Sequence, residues 1–157
     1  MRKFFEYNWH VRDDWFEWCK QLSKEELYKK RCGGVESILH TLFHITEVEY
    51  SWLQGIQGKE DIQFEFRNYE TLEKVQLISD ELRDENAKFL KSNFDMNKVV
   101  SVPWAKAKYT IDEILHHIVA HEIHHIGQLS VWARELNLAP IQAHFIGRRI
   151  DILSENK

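Results

Sequence analysis

Apolar side chains return every three or four positions along four long stretches of the chain, the spacing that lines one face of an α-helix. The first stretch runs from about Phe4 to Leu22, with Phe5, Trp9, Arg12, Phe16 and Cys19 at mixed three- and four-residue steps. Ser23 with Glu26 forms a capping-box pattern and predicts a turn or second small helix. After the break at Gly33-Gly34, Ile38, Leu42, Ile45 and Trp52 predict a helix from about Val35 to Leu53, closed by Gly55 and Gly58. Leu72, Val75, Ile78 and Leu82 share one face of a helix expected from about Tyr69 to Ser92. Thr110 with Glu113 is a second capping box, opening a helix that runs to about Leu136 and ends at Asn137 and Pro140. A short C-terminal helix is expected from Ile141 to about Leu153.

Between these stretches the signal is weak. Residues 56–68 are polar, irregular and long for a turn between antiparallel helices. Residues 93–109 read as a loop in which Val99-Val100-Ser101-Val102 favours a short extended segment. The pattern therefore predicts an all-α protein, a four-helix bundle with a short C-terminal helix and one domain over residues 1–157. The long link before Tyr69 leaves room for a crossover, so up-down-up-down order is not assumed.

Composition narrows the functions. Hydrophobic residues at 43% and charged residues at 29% suit a packed core and argue against intrinsic disorder. A net charge of -4 with a pI of about 6.1 gives no electrostatic reason to expect nucleic acid as a partner. Cys19 and Cys32 lack CxxC spacing, so a disulfide framework and a cysteine-zinc motif are not expected. The opening MRKFFEYNWH lacks an apolar run of signal-peptide length, and no stretch approaches the roughly 20 apolar residues that span a bilayer. The expectation is a cytoplasmic protein with no membrane partner.

Histidine is the outlier. The chain has nine, five of them between His116 and His125. Residues four apart on a helix stand about 5–6 Å from each other on one face, so two imidazoles there can turn a nitrogen toward one ion. The last long helix carries His117, His121 and His125 in that series, flanked by His116 and His124; the second carries His40 and His44. Ile114, Ile118 and Leu129 bracket the face of His121 and His125, which makes those two the metal-ligand candidates and leaves His116 on the solvent side. A catalytic ion needs about three protein ligands and an open position, and a facing helix in a bundle can supply the third. The residues alone do not choose between His40 and His44.

These segments resemble a known family. SILHTLFHITEVEYSWL is similar to the second-helix signature of the DinB/YfiT-like metalloenzymes, HHIVAHEIHHIGQL to their fourth-helix signature, and Tyr7-Asn8-Trp9 to their first helix. The resemblance implies an up-down-down-up bundle holding a divalent metal through His44, His121 and His125, with zinc or nickel first and iron or copper as alternatives. His44 fits the family's ligand because it lies six residues after Ile38 and is followed by Glu49 and Trp52. His124 and Ile126 around His125 depart from the common pattern and leave the pocket wall open. Glu47 is a candidate acceptor for a histidine N–H. Gln128 is read as a structural hydrogen-bonding residue, Trp52 as core, and Glu49 as bonding a neighbouring helix.

Three functions compete. The resemblance implies a metal-dependent enzyme such as a low-molecular-weight-thiol (bacillithiol-type) S-transferase acting on a small-molecule substrate, and it allows a homodimer. It leaves open whether the chain is an enzyme; the alternative is a non-catalytic metal-binding or stress-response protein. HEIHH also matches the HExxH peptidase motif, with Glu122 as general base and Glu135 or His144 as downstream ligand. Zincins align their substrate on a sheet, which this pattern lacks, so the peptidase is the least favoured.

Overall fold

The computed structural model describes residues 1–150 apart from Asp61 and Arg149. It contains α1 (Arg2–Cys19), the short α2 (Lys24–Tyr28), α3 (Ile38–Ile56), α4 (Leu72–Lys91) and α5 (Ile111–Glu135). A small antiparallel hairpin of β1 (Val99–Ser101) and β2 (Lys108–Thr110), with Val100 opposite Tyr109, precedes α5. The helix starts follow side-chain chemistry. Ser23, Ser37, Thr71 and Thr110 each accept a hydrogen bond from the backbone N–H three residues on, which satisfies a donor the helix leaves free. At Thr110 the box is complete, because Glu113 also accepts from the Thr110 backbone N–H at 2.7 Å. Among the described residues, no helix is long and apolar enough to cross a membrane.

Side-chain pairs fix the helix directions. On α1 and α5, Asn8 reaches the Val119 carbonyl and Arg12 reaches Glu122, so the two run parallel. His44 faces His121 and His125 while Trp52 meets His117, so α3 and α5 are antiparallel. Leu39 lies near Leu72 and Gln54 bonds Glu85, which makes α3 and α4 parallel. The bundle is therefore up-down-down-up, and residues 57–71 are long because they carry the chain back between two parallel helices. Two apolar clusters fill it, one around Trp15, Phe16, Leu39 and Leu129, the other around Phe5, Leu53, Ile114 and Ile118. Along α1, α3 and α5 a polar layer of Arg12, Glu49 and Glu122 falls between them.

Several boundaries differ from the sequence reading. α3 and α4 begin at Ile38 and Leu72 rather than about Val35 and Tyr69, because Ser37 and Thr71 cap them. α3 continues through Gly55 to Ile56, and Gly58, at φ +67°, follows its end as expected; Gly55 instead marks where the hairpin loop approaches the helix. A Cβ there would sit 2.6 Å from Val102 Cγ1 and 3.2 Å from Trp104 Cη2. Gly55→Ala should therefore lower stability by about 1–3 kcal/mol through overpacking. Gly127→Ala, whose Cβ would meet nothing within 4 Å, should raise it by about 0.5–1 kcal/mol through helix propensity alone. Thermal unfolding should shift Tm in opposite directions for the two variants.

The helix expected from Ile141 is not formed over residues 141–148. There the carbonyls are taken by side chains: Tyr7 donates to Ala143 O at 2.8 Å and Arg148 to Gln142 O at 2.7 Å, while Trp18 donates to Ala139 O just upstream. Gly147, at φ +83°, adds a turn no helix accommodates. The end of that expected helix, at Leu153, lies outside the described residues.

Candidate metal centre

His121 and His125 stand one turn apart on α5, and antiparallel α3 brings His44 against both. The ring centroids lie 4.5 Å apart for His121 and His125, and 5.0 and 5.1 Å from His44 to each. One ligand atom from each of the three falls within 4.8 Å of the others, so the trio can hold a metal ion. The Nε2 atoms of His121 and His125 are 3.2 Å apart. Two nitrogens bound to zinc at about 2.0–2.1 Å with a tetrahedral angle between them would be about 3.3–3.4 Å apart. The donor set therefore fits a divalent ion without rearrangement of this pair.

The electrostatics favour neutral, lone-pair-bearing imidazoles. Burial, followed by the nearness of His125 and His44, pushes the His121 pKa down to about 3. His125 is also lowered, chiefly by burial, against a hydrogen bond to Gln128 that works the other way. Gln128 Oε1 lies 2.8 Å from His125 Nδ1. As an acceptor it places the proton on Nδ1 and leaves the Nε2 lone pair facing the other two rings. His44 Nδ1 is 3.3 Å from Glu47 Oε1, the contact anticipated for Glu47. Gln128 is in turn backed by the α2–α3 loop: a Cβ on Gly34, itself at φ +53°, would overlap its Oε1. The Gly33-Gly34 break thus lets the loop approach the residue that orients a candidate ligand.

The remaining histidines separate cleanly. His40 stacks on Phe66 with centroids 4.3 Å apart and planes 10° apart, and it is not in the ligand cluster. His116 is exposed and pairs with Asp112. His117 is exposed at the edge, its ring 5.9 Å from that of His121 and 5.2 Å from that of Trp52. His124 is exposed beside His125 and reaches Gln128 Nε2 at 3.2 Å. Trp52, expected in the core, is half-buried.

Glu122 lies on the other side of α5. It is buried, and Arg12 donates to both its oxygens, from Nε at 2.8 Å and Nη2 at 2.6 Å. Burial pushes its pKa up, against the pull of Arg12. Arg12 Nη2 also donates to Glu49 at 2.6 Å, and Trp9 and Asn86 complete the shell of Glu49. A carboxylate held this way cannot serve as a general base at the histidine face, and Glu135 and His144 are exposed and outside the ligand cluster. The HExxH peptidase reading is therefore overturned by geometry. Sequence reasoning missed the buried Arg12. Its signal was a charged residue inside the apolar series Trp9–Phe16, and its partners lie 37 and 110 residues away.

Known proteins are similar to this chain in sequence and fold. The DinB family profile matches residues 1–149. An uncharacterized Bacillus subtilis (strain 168) protein, YizA, is 62% identical over 153 residues, covering 96% of each chain. Protein DinB of the same organism is 26% identical, covering 87% of this chain and 86% of its own. A crystal structure of a DinB-like protein from Bacillus cereus ATCC 10987 shares the fold with a TM-score of 0.62 at 19% identity, covering 90% of this chain and 95% of that one. With a bundle of this order and a family match over nearly its whole length, the chain belongs to the DinB family.

Proposed function

We propose that His44, His121 and His125 bind one divalent ion, zinc or nickel before iron or copper, and that the protein is a metal-dependent enzyme transferring a low-molecular-weight thiol of the bacillithiol type to an electrophile. The observation that carries this reading is the convergence of three ligand nitrogens within 4.8 Å, with burial keeping His121 and His125 neutral. A divalent ion held by three neutral imidazoles keeps its charge and would supply Lewis acidity that favours a thiolate over a thiol. The protein's own part is orientation. Gln128 fixes the tautomer of His125, Glu47 abuts His44, and a cavity of about 520 Å³ that shares Glu47 as a wall offers room for substrate. In the transfer, the thiolate sulfur forms a carbon–sulfur bond as the leaving group departs with its electron pair, and the thiol proton passes to solvent.

The test is a thiol-transfer assay with bacillithiol and a halogenated aromatic electrophile, run on the metal-stripped protein and after addition of each divalent ion. Transfer that requires an added metal and disappears in His125→Ala supports the reading. Stoichiometric metal binding with no transfer above background under any metal favours a non-catalytic metal-binding role.

A further inference from the structure

The cavity beside the triad has a chemistry of its own. It opens between α3 and the segments before α4 and within the hairpin, and is lined by Glu47, Ser51 and Trp52 of α3 with Phe64, Pro103 and Trp104 facing them. Trp52 and Trp104 meet edge to face, centroids 5.5 Å apart and planes at 83°, so the two indoles form a corner. Trp104 is 42% exposed, yet it is not placed loosely. Its ring rests on the backbone of Gly55, where a Cβ would stand 3.2 Å away. Among the described residues lining the cavity, Glu47 is the only one that carries a formal charge, and none is basic.

We propose that this cavity binds the ammonium or quaternary-ammonium end of a substrate. Indole faces attract cations through the ring quadrupole, and both indoles line this cavity. Glu47 supplies the opposite charge. A wholly apolar ligand would press against the Glu47 carboxylate and remove it from water, whereas a cation offsets that cost. Glu47 lies 3.3 Å from His44 Nδ1 as well, so a cation held there lies one side chain from the triad, and the rest of the substrate can extend toward it. That the cavity serves the same reaction rests on the proposed metal centre; the binding of a cation does not.

The experiment compares choline with its neutral isostere 3,3-dimethylbutan-1-ol by calorimetric titration of the full-length protein. Choline should bind about tenfold or more tightly than the alcohol. Trp104→Ala, at a partly exposed position and checked for native helicity by circular dichroism, should weaken choline by a similar factor, and Glu47→Gln should weaken choline but not the alcohol. His125→Ala, which removes a ligand of the ion and nothing from the cavity, should bind choline as the parent does. Equal affinity for the two probes, no binding of either, or unchanged choline affinity in Trp104→Ala overturns the proposal. Failure of the metal centre alone would show as absent metal in the parent protein with choline binding intact.

Discussion

His125→Ala should purify without a stoichiometric divalent ion, while His116→Ala and His40→Ala keep the full metal content of the parent. His125 is the most constrained of the three candidate ligands: buried, its Nδ1 tied to Gln128, its Nε2 3.2 Å from that of His121. Removing it leaves His121 and His44, two donors on different helices, and two imidazoles do not make the three-ligand shell of a typical catalytic site. His121→Ala should behave the same way. His116 pairs with Asp112 in solvent and His40 stacks on Phe66, so neither loss touches the cluster. Gln128→Leu is the graded case: it keeps all three rings but frees the His125 tautomer, and affinity should fall about 10- to 100-fold. Metal analysis of the purified variants, followed by competition against a chelator, measures both effects. Full metal content in His125→Ala would remove the site.

How far this site could be read from the residues depended on range. His121 and His125 are four apart on one helix, so local geometry alone pairs them. Choosing His44 over His40 needed either a family likeness or the fold, because each sits on the same helix one turn from the other. What separates them is Phe66, from the link before α4, which covers the His40 ring. Helix starts were legible where the sequence shows a capping box, as at Thr110; the Ser37 and Thr71 caps lack the acidic partner three residues on, and α3 and α4 were expected about three residues early, at Val35 and Tyr69. Gly55 misled because its meaning is tertiary: it marks where Val102 and Trp104 approach α3, not where α3 ends. Residues 141–148 misled for a related reason, since carbonyls there answer to Tyr7 and Arg148 rather than to a helical ladder. The hairpin was half visible, as an extended Val99–Val102 whose partner strand at Lys108–Thr110 carries no comparable run.

Arg12→Met should lower stability more than any other single change away from the triad, by about 3–5 kcal/mol, or roughly 6–20 °C in Tm for a chain of this size. The guanidinium is buried, as are both carboxylates it joins. Desolvation works against its charge, yet Glu122 and Glu49 outweigh that and hold its pKa above the usual arginine value. Without it Glu49 still has Trp9 and Asn86, whereas Glu122 loses both hydrogen bonds and remains a buried acid with no partner of its own. The pH dependence identifies the cause. Burial already raises the Glu122 pKa above its ordinary 4.5, and removing Arg12 raises it further. A folded-state acid with a raised pKa binds more protons than the unfolded chain does, so its stability contribution is present at low pH and lost as pH rises through the folded pKa. The deficit of Arg12→Met should therefore be greatest at neutral pH and shrink on acidification as Glu122 takes up a proton. Adding Glu122→Leu should recover much of the loss, because it removes the partnerless buried acid while Glu49 stays in place as acceptor for Trp9 and Asn86. A destabilisation that is independent of pH, or an Arg12→Met/Glu122→Leu double variant as unstable as Arg12→Met, would mean the layer holds the helices together by packing rather than by charge.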